Sequence, residues 1–319
     1  MPTKIKFGVF LPFYAFRNQK QSNDLFNQLK NTVQTCEQLG YDSVWIDDHL
    51  MLGQIPILEC WTALSALACT TKKIKLGTMV TCNSFRNPAL LAKMAATFDV
   101  LSNGRLELGI GAGVQKSEHE AYGYTFFSTI ERIQRLNEAI EIIKKMWTEN
   151  NSSHTGKHYQ ITNAICEPKP HQKPHPPLVV GGGGEKLTLQ VTARHANRYD
   201  WGYLSSFEEY VNKMEVLKNH CTVVGRNFEE IEKSCWPAGQ IFLGKTKKDA
   251  ENMVSQMLPE GVCLEDFVRA SFVGTPESII ELLKPYQKLG VTQFMLYFAN
   301  LPQTDSLQLF AEKVIPKMC

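Results

Sequence analysis

The sequence predicts an α/β protein folded as a (β/α)₈ TIM barrel, one domain over residues 1–319. Three observations lead there. Short β-rich runs alternate with long amphipathic segments through eight units, the pattern of a parallel sheet covered by helices. The first run ends in Leu11-Pro12-Phe13, whereas a doubly wound dinucleotide fold opens with a glycine loop there. The glycine clusters instead follow the fourth and fifth runs. Finally, 319 residues with 43% hydrophobic and 21% charged side chains supply a large core. They exclude a disordered chain, a coiled coil and a collagen-like repeat.

The elements follow in order. Lys4–Leu11 reads as the first strand, then Asp24–Leu39 as a helix closed by Gly40, where a positive φ is needed. Tyr41–Ile46 is the second strand and Glu59–Cys69 a helix rich in small residues. Ile74–Val80 is the third strand, and Asn87-Pro88 opens the helix Pro88–Leu101 as cap and first-turn proline. Arg105–Ile110 is the fourth strand. The helix Ser128–Trp147 places Ile130, Ile133, Leu136, Ile140, Ile143 and Trp147 on one stripe.

Leu178–Val180 and the helix Lys186–His195 form the fifth unit, Asp200–Leu204 and Phe207–Asn219 the sixth. Ala238–Leu243 is the seventh strand, and Val291–Phe298 is the eighth, preceded by the helix Pro276–Leu289. Asn150–Pro177 holds the run EPKPHQKPHPP, a connection too rich in proline for regular structure. Arg226–Val273 is poorly periodic and is expected as an excursion over one barrel mouth, before the last strand.

Charge and composition remove several functions. With 34 basic against 32 acidic residues and no basic block, nothing points to nucleic acid or an anionic membrane surface. No run approaches the ~18 unbroken apolar residues of a spanning helix. Nine scattered cysteines without a C-x-x-C pair or a signal peptide read as reduced thiols of a cytoplasmic protein. His171 and His175 are four apart, but proline separates them and no helix presents both to a metal; Glu118-His119-Glu120 is not H-E-x-x-H and opens a polar helical turn, so no metal is expected.

In a barrel, function gathers at the C-terminal ends of the strands. The second strand ends in Asp47-Asp48-His49, either a solvated turn with a helix cap or a proton-transfer histidine near a reacting carbon. The third carries Gly77, Met79, Val80 and Thr81, read as a buried kinked strand or as a bulge on which a flat ring rests. The fourth ends in Gly109-Ile110-Gly111-Ala112-Gly113, whose bare backbone admits close approach. The fifth ends in Gly181-Gly182-Gly183-Gly184-Glu185 and runs into a helix. Converging N–H groups at that terminus favour an anion such as phosphate over a plain flexible loop.

These stretches resemble a known family. Leu76–Gly123, supported by 40–49, 167–197 and 273–296, is similar to the bacterial luciferase-like flavin and deazaflavin oxidoreductases, above all to the branch using coenzyme F-420. The resemblance implies a luciferase-like barrel with the cofactor in its mouth and a non-proline cis peptide at Met79–Val80 behind the ring. It assigns Asp48 and His49 to the catalytic strand end, and Gly111, Ala112 and Gly113 to cofactor contact. Gly181 through Glu185 take the cofactor phosphate.

Two departures argue against a sugar-phosphate substrate. Val114 stands where the family's sugar-phosphate dehydrogenases carry an acid, and Leu50-Met51-Leu52-Gly53 lacks their tryptophan. The expected activity is hydride transfer between coenzyme F-420 and a small organic substrate. The alternatives are an FMN-dependent monooxygenase served by a reductase, and a flavin-binding barrel without catalysis. The resemblance also implies a homodimer through Glu59–Cys69 and Pro88–Leu101.

Overall fold

The computed structural model describes residues 4–16, 22–202 and 206–318. Eight parallel strands form the barrel: β1 (Lys6–Phe10), β2 (Ser43–Ile46), β3 (Lys75–Thr78), β4 (Leu106–Gly111), β5 (Leu178–Gly181), β6 (Arg198–Asp200), β7 (Ser234–Cys235) and β8 (Gln293–Leu296). The hydrogen-bonded order is β7-β8-β1-β2-β3-β4-β5-β6, and a parallel bridge between Arg198 and Glu232 nearly closes the ring.

The helices start where their caps dictate. The Asn87 side chain accepts from the Ala89 N–H at 2.9 Å with Pro88 behind it. Gly40 ends the first helix at φ +83°, as its position requires. Ile133, Leu136, Ile140, Ile143 and Trp147 bury the expected stripe of the helix Thr129–Thr148, whereas Ile130 lies at its mouth end, 59% exposed.

Three expectations are corrected. The seventh strand is Ser234–Cys235 and not Ala238–Leu243; Ile241–Leu243 instead pairs with Phe272–Gly274 in a separate two-stranded parallel sheet. Phe242, Val254 and Ala299 give that unit its own small apolar core, which is why its strand period read as barrel. The sixth strand begins earlier, at Arg198, and the Tyr203–Leu204 end of its expected range lies outside the described residues. The connection 150–177 is irregular only in its second half, since Ser152–Thr155 and Gln160–Ala164 form an antiparallel hairpin.

The excursion stands beside the mouth: Ile241 bridges Phe298, just past the C-terminal end of β8. It contains the helices Lys247–Met257, opened by a Thr246–Asp249 capping box, and Leu264–Arg269. No helix among the described residues is long and apolar enough to cross a membrane.

The barrel interior is filled in layers. At the N-terminal end Arg198 binds Glu107 at 2.6 Å and Glu232 at 2.7 Å, and Glu232 binds Lys6 at 2.7 Å. Above them lies Trp45. A Cβ at Gly77 would stand 2.4 Å from its ring, and one at Gly8 2.9 Å from its Nε1. The glycine inside the third strand therefore makes room for a core tryptophan and not for a ligand.

Candidate active site at the barrel mouth

A cavity of about 230 Å³ opens at the C-terminal ends of β2 to β5. It gathers Asp48, His49, Met79, Val80, Gly111, Ala112, Gly113, Gly181 and Gly182. Among the expected residues, Thr81 and Gly183 to Glu185 do not line it. The Thr81 hydroxyl is buried and donates to Thr78 Oγ1 at 3.0 Å, and Thr78 in turn donates to the Gly109 carbonyl at 2.7 Å. Gly183 to Glu185 continue the β5 loop beyond the cavity wall.

The peptide bond between Met79 and Val80 is cis. The Val80 side chain packs into the hollow left by bare backbone. A Cβ at Gly111 would stand 2.7 Å from Val80 Cγ2, and one at Gly181 2.6 Å from Val80 Cγ1. Glycine at these strand ends thus admits Val80, which forms part of the cavity floor. The amide reading holds further along. Gly182 takes φ +111° and gives its N–H to the Asp200 carbonyl, while the N–H groups of Gly183, Gly184 and Glu185 donate to no acceptor among the described residues. They precede the helix Thr188–His195, whose first turn has no side-chain cap. Lys213 reaches the same loop, its Nζ 2.9 Å from the Gly183 carbonyl and 3.7 Å from Glu185.

His49 and Asp48 take different partners. His49 Nδ1 lies 2.8 Å from Glu118 Oε1; the other Glu118 oxygen accepts the Leu50 N–H at 2.9 Å. A carboxylate only accepts, so this contact fixes the proton on Nδ1 and leaves Nε2 for the cavity. Asp48 is fully engaged: Arg86 grips both oxygens at 2.6 and 2.9 Å, and the Cys82 N–H donates at 2.9 Å. Arg86 also holds Glu59, which caps the helix Cys60–Thr70. Asp48 thereby ties the end of β2 to its neighbours.

Sequence reasoning passed over three groups here. Glu118 stands in a sequence with only polar neighbours and no metal motif, yet its side chain is buried and orients His49. Arg86 carried no motif, and its link to Asp48 exists only in three dimensions. Cys82 lines the cavity with its thiol pushed up to about 12 by burial. A helix rising straight from a glycine loop, with an acid one turn in, was the available signal for Glu118.

Asp47 belongs to the same strand end. Burial pushes its carboxyl up to about 6, against the Phe13 N–H at 3.0 Å and the nearby His49. Burial does the same at Asp200, also to about 6, against the Gly202 N–H at 2.8 Å.

The residues at this mouth fit a flat ring with an anionic tail: a floor of Val80, an oriented histidine, and unclaimed amides beyond β5. Comparison with known proteins bears on which group that is. The luciferase-like monooxygenase family matches residues 5–267. An F420-dependent glucose-6-phosphate dehydrogenase of Amycolatopsis mediterranei is 27% identical, over 89% of this chain and 92% of its own. The oxygenase component of a flavin-dependent trigonelline monooxygenase from Acinetobacter baylyi is 25% identical, over 92% of this chain and 89% of its own. The solved coenzyme F420-dependent tetrahydromethanopterin reductase of Methanopyrus kandleri superposes with a TM-score of 0.80 at 20% identity, covering 99% of this chain and 100% of that one. The barrel with its cis peptide, its oriented histidine and its glycine loops, matched over this length, places the chain in the luciferase-like monooxygenase family of oxidoreductases.

Proposed function

We propose that this chain transfers a hydride between the 5-deazaflavin coenzyme F-420 and a small organic substrate, an alcohol–carbonyl pair or an activated alkene. The observation that carries the reading is the cavity that holds an oriented His49 and ends at Gly182, where the loop of unclaimed amides begins. Relatives named for F420 support the cofactor. A ring of this kind supplies a hydride when reduced and accepts one when oxidised.

The chain's own residues do the rest. Gly183, Gly184 and Glu185 would bind the phosphate through main-chain N–H groups, with the Lys213 ammonium close by. Val80, Gly111, Ala112, Gly113, Gly181 and Gly182 would support the ring. His49 Nε2 moves a proton at the substrate oxygen, and Glu118 stabilises the imidazolium that results. Asp48, clamped by Arg86, positions the strand end that carries His49.

The second reading, an FMN-dependent monooxygenase served by a separate reductase, is favoured by the trigonelline oxygenase relative. Titration of the purified protein with coenzyme F-420 and with FMN separates the two. Binding of F-420, followed by loss of reduced F-420 absorbance with carbonyl or alkene acceptors, is the expected result. FMN binding with oxygen-dependent turnover replaces it with the second reading. Cofactor binding without turnover of any acceptor leaves a non-catalytic barrel.

We read the chain as one cytoplasmic domain that dimerises through the helices Cys60–Thr70 and Pro88–Leu101. There Leu90 and Leu101 are 55% and 76% exposed, and a mass measurement in solution tests the pairing.

A further inference from the structure

The mouth has two unlike halves. On the side of β4 and β5 the inward positions are Gly111 and Gly181, both filled by Val80. On the side of β7, β8 and β1 they are aromatic. Phe10 meets Trp236 at 4.8 Å between ring centres and Tyr297 at 6.0 Å, and Tyr14 meets Tyr297 edge-on at 6.0 Å. Because β8 lies between β1 and β7, the Phe10–Trp236 contact crosses the barrel interior.

Two carboxyl groups stand where the halves meet, one just past the end of β2 and one at the end of β6. Alternation sets their direction. Ser43 reaches Gln293 of β8 past β1, and Trp45 fills the interior against Gly8 and Gly77, so Asp47 and His49 follow on the inward face. Arg198 reaches Glu107 of β4 past β5, so Asp200 follows it inward.

Each acid accepts one main-chain N–H through Oδ1, from Phe13 and from Gly202. Neither Oδ2 has a partner among the described residues, although both side chains sit in residues only 3% exposed. Buried acceptors left open cost free energy, so two at one mouth mark where donors arrive.

We infer that the aromatic half is the substrate compartment, and that it takes a ring-bearing organic molecule with a hydroxyl or amine donor and no anionic group. The inference rests on the proposed placement of the cofactor over the glycine half. Aromatic walls take the ring of the substrate, Asp47 and Asp200 accept its donors, and the same carboxylates repel a phosphate or a carboxylate. The family's phosphorylated sugars are thereby disfavoured at this mouth.

The test is calorimetric titration of the cofactor-loaded protein with four matched probes: benzyl alcohol, benzylamine, benzoate and benzyl phosphate. The alcohol and the amine bind at least about ten-fold more tightly than the two anions. Asp47→Asn and Asp200→Asn each weaken benzylamine several-fold and narrow the gap to benzoate, while cofactor affinity is kept. Binding of benzyl phosphate as tight as that of the donors overturns the inference. So does failure of both donors to bind at millimolar concentration, or a ranking unchanged in both variants. The wild-type ranking decides even where a variant does not fold. A protein that binds neither F-420 nor FMN contradicts the proposed function itself, and a loaded protein with the wrong ranking contradicts only this compartment.

Discussion

The two ends of this barrel treat buried charge in opposite ways. At the N-terminal end Arg198 is bracketed by Glu107 and Glu232, and Lys6 completes the chain. Although burial works against it, the attraction of Arg198 and Lys6 holds the Glu232 carboxyl down at about 2. At the C-terminal end Asp47 and Asp200 are as enclosed as Arg198 but each keeps one oxygen open, and burial holds both up at about 6. The closed network stabilises the folded chain, and the open end retains unsatisfied groups at a cost to stability. In a barrel that division separates the face that holds the fold from the face that does chemistry.

The sharpest way to break this contrast is Arg198→Met. It leaves Glu107 buried without its cation, so the chain loses roughly 3–5 kcal/mol in denaturant titration. A loss under 1 kcal/mol would show that the N-terminal network is not structural. His49→Ala acts at the other end only. Turnover falls by about 10²–10⁴-fold with unchanged cofactor affinity, while the Glu118 oxygen left without its donor costs about 1–3 kcal/mol of stability. Activity near the wild-type level removes His49 from the chemistry.

The pH dependence differs in sign between the ends. Asp200 is raised, so its contribution is complete below about pH 4 and is lost as pH rises through 6. Asp200→Asn therefore changes little at pH 4 and stabilises by about 2–3 kcal/mol at pH 8. Glu232 is lowered, so its contribution is present above about pH 4.5 and is lost as pH falls toward 2. Glu232→Gln costs about 2–3 kcal/mol at pH 7, and the difference fades near pH 2. Melting temperatures across pH 2–9 read both, and parallel profiles for the two variants contradict the division. The smallest effect is at Gly181→Ala. The added methyl meets Val80 Cγ1 and costs about 1–3 kcal/mol, with a parallel weakening of cofactor binding.

Much of the fold could be read from the chain because local rules agreed. Asn87-Pro88, Gly40 and the Thr129–Thr148 stripe each fixed an element before any tertiary contact was known. The seventh strand was misplaced because two residues, Ser234 and Cys235, carry no period, while Ile241–Leu243 has a strand's composition in a different sheet. In the site, the residues of one strand end were legible as a cluster. Their division of labour was not. Asp48 turned out to be clamped by Arg86, and Glu118 to orient His49, through contacts spanning 38 and 69 residues. The glycines were legible as bare backbone, but only packing shows that Gly111 and Gly181 make room for Val80.

The account turns on where an anionic tail sits, and a crystal grown with coenzyme F-420 reads that directly. The phosphate is expected within hydrogen-bond distance of the Gly183, Gly184 and Glu185 amides, with the ring over Val80 and beside His49. A phosphate bound elsewhere, with those three amides hydrated, contradicts it.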